Sequence, residues 1–207
     1  MKEYGLFGGS FNPIHNGHLH NAKSVYTALS LDHVVLMPSG EAPHKDCSLY
    51  APAADRLAMC RLAAEKFGWM SVSDFEICKE GKSYTVETLR ALTEQNPDVH
   101  WTLMIGSDML LTFDKWYCWE EIAQTARICA VSREDGDLET LMTKAKSLSE
   151  AVPEADIRVL TVPPIPVSST QIRENLQKKR FSSCLLPKNV VQYIQKHGLY
   201  RPQDSDV

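Results

Sequence analysis

Short apolar runs alternate with amphipathic helix patterns along most of this chain. This alternation predicts an α/β fold, an open parallel sheet with helices on both faces. The predicted strands are residues 4–7, 33–37, 71–77, 100–105, 127–131 and 157–162, and the predicted helices are residues 17–29, 52–67, 83–95, 169–179 and 187–198. An amphipathic stretch at 138–148 packs either on this core or on another subunit.

The length of 207 residues suits one domain over 1–207, with a C-terminal helical part at 168–201 and a tail at 202–207. The six cysteines never form a C-x-x-C pair, so we expect free thiols rather than a zinc ribbon. No apolar run is long enough for a membrane span, and the N-terminal residues before Gly8 leave no room for a signal peptide. We therefore expect a cytoplasmic protein with no membrane partner.

The charge balance argues against one large class of partners. Lysine and arginine number 22 and aspartate and glutamate 26, which gives a net charge of −4. Such a chain is a poor general binder of nucleic-acid backbone. A local cluster of donors can still bind a small polyanion.

Gly8 to His18, directly after the first predicted strand, reads GGSFNPIHNGH. It is neither a G-x-G-x-x-G dinucleotide fingerprint nor a P-loop. Glycines let a ligand approach the backbone, and a helix N-terminus offers N–H groups and partial positive charge. Because His15 and His18 are three residues apart, they share one helix face. The segment predicts a phosphate site, and in open sheets such sites lie beyond the carboxyl ends of the strands.

Two other interpretations of these histidines stay open. His15, His18 and His20 could form a metal site, although no carboxylate or cysteine lies nearby in sequence. They could also be solvated or helix-capping residues.

The segment resembles the G-x-F-[DN]-P-x-H-x-G-H signature of the nucleotidylyltransferase superfamily. Ser168–Arg173, which reads SSTQIR, resembles its second signature, S-[ST]-T-x-[IV]-R. Further segments across residues 3–201 resemble the bacterial nicotinate-nucleotide adenylyltransferases, namely Pro43-His44-Lys45, Ser83-Tyr84-Thr85, Ile105–Asp108, Phe113–Tyr117, Leu185-Leu186-Pro187, Tyr193-Ile194 and Gly198-Leu199-Tyr200. One departure is Asn12, where many members carry aspartate, and there we expect a turn-forming side chain to suffice.

This resemblance implies a Rossmann-like nucleotidyltransferase fold and transfer of the adenylyl group of ATP to nicotinate mononucleotide, with release of pyrophosphate. The attacking phosphate is already an anion, so catalysis needs positioning and charge stabilisation rather than a side-chain nucleophile. The implied catalytic residues are His15, His18, Lys45 and Arg173. The implied ATP-binding residues are Gly8, Gly9, Ser10, Phe11, His15, His18, Gly106, Asp108, Ser168, Ser169, Thr170 and Arg173.

Within that set, Asp108 would accept hydrogen bonds from the ribose hydroxyls, or simply cap a helix. Ser169 and Thr170 would cradle the β and γ phosphates, or likewise cap a helix. Adenine would lie near residues 131–133 and 165–167. Mg²⁺ would arrive with ATP, held by phosphate oxygens and water rather than by a protein cage.

The resemblance also implies binding of nicotinate mononucleotide by His44, Lys45, Thr85, Trp116 and Tyr117. Trp116 would stack on the pyridine ring, unless it only packs in a core with Trp101, Tyr117 and Trp119. Thr85 and the backbone near Tyr117 would bind the carboxylate. We expect the loop of residues 39–50 to be mobile without ligand and to close over the substrates.

Two alternatives of different class remain. A sister enzyme would adenylylate nicotinamide mononucleotide or phosphopantetheine, although the pantetheine family typically has threonine where His15 stands. A nonenzymatic nucleotide sensor on the same fold should have lost His18 or Arg173, and both are present. Monomer and homo-oligomer are equally compatible with the sequence.

Overall fold

Buried residues occupy nearly every position of the two central strands that run from Val99 and Arg127, as expected for strands covered by helices on both faces. The computed structural model describes residues 1–40, 50–132, 137–178, 180 and 185–201. Its strands are β1 Lys2–Gly9, β2 His33–Pro38, β3 Met70–Val72, β4 Val99–Gly106, β5 Arg127–Ser132 and β6 Ile157–Thr161. All pairings are parallel, in the order β3-β2-β1-β4-β5-β6. The predicted open parallel sheet is confirmed.

Helices cover both faces of this sheet. They are α1 Asn16–Ala28, α2 Ala53–Ala64, α3 Phe75–Cys78, α4 Thr85–Gln95, α5 Ser107–Leu111, α6 Trp119–Thr125, α7 Leu138–Ala151, α8 Ser169–Gln177 and α9 Lys188–His197, with a 3₁₀ turn at Phe113–Lys115. One apolar core includes buried residues of α1, α2 and α9, and a second includes buried residues of α4, α6 and α7. Strand order reverses between β1 and β4, and in open sheets of this kind the ligand crevice lies at the carboxyl ends of the strands at that point.

Residues 71–77 are not a single strand, and that prediction is wrong in its second half. Only Met70–Val72 pair with β2, and a short helix follows at Phe75–Cys78. The Ser73 side chain accepts the Phe75 N–H, and Thr88 donates to the Glu76 carboxylate from another helix. These contacts favour a helical turn over the strand that local alternation indicated.

Two further differences concern helix positions. The short helices α5 and α6 were not predicted, and α4 has Tyr84 rather than Ser83 as its N-cap residue. The amphipathic helix α7 buries Leu141, Ala145 and Leu148 against the chain's own second core. Its apolar face therefore needs no second subunit.

Other predictions meet the limits of the described residues. Cys60, Cys78, Cys118 and Cys129 are free thiols, whereas Cys47 and Cys184 lie outside the described residues. Burial raises the pKa of the Cys129 thiol to about 12. The tail at 202–207 and most of the 39–50 loop, residues 41–49, also lie outside. Over the part of the chain that is described, no helix has both the length and the apolar character needed to cross a bilayer.

A network of ionic hydrogen bonds joins three strands at the amino edge of the sheet. The Arg127 guanidinium donates to Glu3 at 2.8 Å and to Asp156 at 2.7 Å, and its side chain is only 12% exposed. Burial favours the protonated form of Glu3, but hydrogen bonds from His100 and Arg127 outweigh it and lower the pKa. Hydrogen bonds from Arg158 and Arg127 lower the pKa of Asp156 despite partial burial.

We expect Arg127→Met to destabilise the fold by about 2 kcal/mol at pH 7, because it removes charge-assisted hydrogen bonds to partly exposed carboxylates. A carboxylate with a lowered pKa stabilises the fold above its unfolded pKa, and this contribution disappears as pH falls through the folded pKa. The difference in the free energy of unfolding between the wild type and Arg127→Met should therefore be smaller at pH 3 than at pH 7. Urea unfolding at both pH values measures it.

Lys2→Met, which removes an exposed ion pair with Asp98, is the control. It should change the free energy of unfolding little at either pH. An Arg127→Met defect of equal size at pH 7 and pH 3 would contradict the ionic explanation.

Candidate active site

His15 and His18 cap the start of α1 reciprocally. His15 is the N-cap residue, and its Nδ1 accepts the His18 backbone N–H at 3.3 Å. In return, His18 Nδ1 accepts the His15 backbone N–H at 3.2 Å. The two rings stack with centroids 3.6 Å apart. The capping interpretation is thus correct, and capping determines how both imidazoles are held.

This cap also fixes the tautomer of each ring. Because both Nδ1 atoms accept backbone N–H groups, the neutral rings carry their protons on Nε2. His15 is buried, with 5% of its surface exposed, and His18 is half-buried. A capping role and a hydrogen-bond donor role are therefore compatible in the same residue.

The glycines of the first signature differ in what they allow. A Cβ at Gly17 would lie 2.9 Å from Val167 Cγ1 and 3.1 Å from His15 Nδ1, so a side chain here would disturb the capping pair. A Cβ at Gly8 would have no described atom within 4 Å. The backbone at the end of β1 is therefore open to a ligand on this side.

The second signature lies directly against the first. The Ser169 hydroxyl donates to the Pro13 carbonyl at 3.0 Å, and Arg173 Nη1 donates to the Asn12 carbonyl at 2.9 Å. The Ser168 hydroxyl caps α8 by accepting the Gln171 N–H, so Ser168 rather than Ser169 is the N-cap. Arg173 also donates to the Thr170 hydroxyl at 3.3 Å. These contacts bring the two signatures together at one edge of the sheet.

As a consequence, two helix N-termini are neighbours. Val167, which precedes α8, packs against Gly17 in the first turn of α1. Each N-terminus contributes partial positive charge, although at α1 the Asn16 N–H donates to the Leu185 carbonyl and the His18 N–H donates to His15. Together with Arg173, they form a region suited to a polyanion.

Gly106 and Asp108 lie at the carboxyl end of β4, the strand beside β1. A Cβ at Gly106 would lie 2.7 Å from the Asp108 Oδ1, so the carboxylate folds back over the glycine. Gly106 itself is the N-cap of α5, and Asp108 is in the first turn. The helix-cap alternative for Asp108 is therefore wrong, and Asp108 is exposed just after the carboxyl end of β4.

The residues predicted for the pyridine substrate form a second group. Tyr84, just before Thr85, and Tyr117 have ring centroids 5.1 Å apart, and Tyr117 is 60% exposed. Trp116 and Trp119 both contact the buried Phe113 ring. Trp116 therefore has the core contacts that its alternative interpretation required, whereas Tyr117 is outside that core.

The metal alternative gains no support from the geometry. His20 Nε2 hydrogen-bonds to the Pro163 carbonyl at 3.0 Å rather than converging with the stacked pair. Within the described ranges, no group of three histidine, cysteine, aspartate or glutamate side chains could hold a metal ion. Of the other predicted residues, His44, Lys45 and Arg133 lie outside the described ranges.

The first signature is contacted by two residues that were not predicted from the sequence. Arg56 of α2 donates to the Ser10 carbonyl at 2.8 Å, and the Tyr200 hydroxyl donates to Asn12 Oδ1 at 2.7 Å. Arg56 could have been found, because it shares the buried face of α2 with Met59 and Cys60. A charged residue on an apolar helix face signals a specific partner.

A fold of this kind with two phosphate-directed signatures in contact defines a nucleotidyltransferase. The family model that matches residues 6–175 is described as cytidylyltransferase-like. The chain is also 38% identical over 201 residues to a protein of Neisseria meningitidis, and 35% identical to one of Clostridium tetani. Both are named "probable nicotinate-nucleotide adenylyltransferase", and each alignment covers 97% of this chain and at least 99% of the relative.

The chain therefore belongs to the nicotinate-nucleotide adenylyltransferase family. Its fold is similar to that of the Plasmodium falciparum nicotinic acid mononucleotide adenylyltransferase in two complexes. The TM-score is 0.77 with the complex with APC and 0.78 with the complex with NaAD, at 18% and 17% identity. In both comparisons the match covers 97% of this chain and 98% of the other.

Substitutions of His18 should separate its capping role from its donor role. Asparagine places an acceptor near the Nδ1 position, and glutamine places a donor near the Nε2 position. We expect His18→Asn to keep the cap but lower kcat about 100-fold, the effect of losing one transition-state donor. His18→Gln should retain more activity than His18→Asn.

Steady-state kinetics, with thermal unfolding as the control for the cap, tests this expectation. The KM for ATP should change less than kcat in His18→Asn. The donor role would be excluded if kcat were unchanged in His18→Asn, or if His18→Gln were less active than His18→Asn.

Proposed function

We propose that this protein transfers the adenylyl group of ATP to nicotinate mononucleotide, giving nicotinate adenine dinucleotide and pyrophosphate in NAD biosynthesis. The observation that carries the proposal is the contact of Ser169 and Arg173 with the backbone of residues 12–13, which joins both signatures at one crevice. The family membership and the names of the relatives support the same reaction.

In this reaction a phosphate oxygen of the mononucleotide bonds to the α-phosphorus of ATP. The bond from that phosphorus to the oxygen that bridges to the β-phosphate breaks, and pyrophosphate leaves with the bonding electrons. The nucleophile is ionised at neutral pH, so no side chain has to remove a proton. The work left for the protein is alignment of the two phosphates and stabilisation of charge.

The arrangement supports a role for each signature in that task. In the proposed reaction His18 would donate from Nε2 to a phosphoryl oxygen, and His15 holds the His18 ring by stacking and by the reciprocal cap. The α8 N-terminus and the Arg173 guanidinium would bind the β and γ phosphates, which become the leaving group. Lys45 and His44 remain predicted participants.

Mg²⁺ enters this proposal as part of the substrate, MgATP. The groups that meet at the two signatures are imidazole N–H, guanidinium and helix N–H donors, which suit phosphate oxygens and not a cation. Mg²⁺ prefers oxygen ligands and keeps several waters. We therefore place the ion on the phosphates, with no ligand cage supplied by the described residues.

The first turn of α4 supports nicotinate as the acceptor. Tyr84, its N-cap, gives no side-chain cap, and the first N–H groups of a helix have no acceptor within the helix. Thr85 begins this turn, and exposed Tyr117 lies beside Tyr84. A carboxylate on the pyridine ring would accept hydrogen bonds from such N–H groups, whereas a neutral carboxamide would gain less.

A cytoplasmic location remains a prediction.

Pyrophosphate release tests the proposed function. Purified protein is given MgATP with nicotinate mononucleotide, nicotinamide mononucleotide or phosphopantetheine as the acceptor. We expect the highest kcat/KM with nicotinate mononucleotide and the dinucleotide as product. Turnover with phosphopantetheine and with neither pyridine mononucleotide would overturn the assignment, and binding of ATP without turnover of any acceptor would indicate a sensor.

A further inference from the structure

Arg56 holds three separate stretches of backbone together beside the first signature. It is only 3% exposed. Its guanidinium donates to the Ser10 carbonyl at 2.8 Å, to the Ala51 carbonyl at 3.2 Å and to the Gly40 carbonyl at 3.4 Å. Burying a guanidinium is costly unless its donors are used, so this geometry is specific. One side chain thereby holds together Gly40, which follows β2, Ala51, which precedes α2, and Ser10, which follows β1.

Asn12 and Tyr200 complete the same set of contacts. The Asn12 side chain is buried, and its Oδ1 accepts the Ala51 N–H at 3.0 Å and the Tyr200 O–H at 2.7 Å. Burial raises the pKa of Tyr200, so the phenol keeps its proton and stays a donor. Ala51 is consequently held through its N–H by Asn12 and through its carbonyl by Arg56.

The loop between these anchors has a backbone that would not persist unaided. Phe11 has φ of 43°, in the left-handed region that residues with a side chain disfavour. Such conformations persist where the surroundings determine them. The buried Phe11 ring packs edge-on to the His18 ring, with centroids 5.1 Å apart. Movement of residues 10–12 would therefore move the surface against which His18 rests.

We propose that Arg56 and Tyr200 are positioning residues for adenylyl transfer, holding residues 10–12 so that Phe11 keeps the His18 imidazole in place. Neither residue needs to touch ATP. Arg56 acts through the Ser10 carbonyl, and Tyr200 acts through the Asn12 side chain. This inference rests on the proposed function, since its effect is on the alignment of the reacting phosphates.

Tyr200→Phe is the main test, because it deletes one hydroxyl and preserves the ring. Tyr193→Phe is a matched control, since the Tyr193 hydroxyl lies in the same C-terminal region but donates to Asp55, at 2.8 Å, rather than to Asn12. We expect Tyr200→Phe to lower kcat about tenfold with a smaller change in KM for ATP, because small misplacements near reacting groups cost rate. Tyr193→Phe should stay within about twofold of wild type for both constants.

Arg56→Met and Arg56→Lys extend the test to the guanidinium. Arg56→Met should lower kcat about 100-fold, and lysine should restore only part of the loss, since an ammonium cannot reproduce the planar set of donors. Arg61→Met is the control on the same helix, where an exposed arginine pairs with Asp74. Full activity in Arg56→Lys would assign the effect to charge and overturn the positioning role.

Activity is compared at a temperature well below the unfolding midpoint of every variant, so that loss of folded protein does not enter kcat. If Arg56→Met fails to fold, the pair of tyrosine variants decides the question. Equal kcat values for Tyr200→Phe and Tyr193→Phe overturn the inference. If the wild-type protein forms no dinucleotide, the proposed function is overturned. If the wild-type protein is active and the variants have the same kcat as the wild type, only the positioning role is overturned.

Discussion

Two hydrogen bonds to backbone carbonyls, from Ser169 to Pro13 and from Arg173 to Asn12, join segments that are far apart in the chain. Each involves a residue of a recognisable motif, yet neither acceptor is a side chain. Because the acceptors are carbonyls, the contact depends on the backbone shape of residues 12 and 13, which the buried Asn12 side chain helps to hold. Docking of α8 on this loop therefore brings the second signature to the end of β1.

Function and stability use opposite edges of the same sheet. The carboxyl edge holds two imidazoles, two helix N-termini and a guanidinium, a combination suited to anions. At the amino edge, Glu3 and Asp156 pair with Arg127 and Arg158, so that two negative charges meet two positive ones. Because these groups are at the far end of the strands, the amino edge can secure the order of β1, β5 and β6 without placing carboxylates near a triphosphate.

Local sequence determined the parts of the fold that depend on local physics. The apolar runs of β4 and β5, and the Pro187 and Gly198 boundaries of α9, were all predicted, and Gly198 has the expected positive φ of 64°. The strand prediction at 71–77 failed because Glu76 bonds to Thr88, a contact that no local pattern reveals. The position of Arg56 on the buried face of α2 signalled a specific partner, but no local pattern reveals that its acceptors include the Ser10 and Gly40 carbonyls.

Asn12 shows how a local explanation can be incomplete. We expected a turn-forming side chain there, but the buried amide instead accepts from Ala51 and Tyr200, residues distant in sequence. Both bonds use Oδ1, so a carboxylate at this position could accept them as well. The amide makes the same bonds without a buried negative charge beside a site for phosphates, where such a charge would oppose binding.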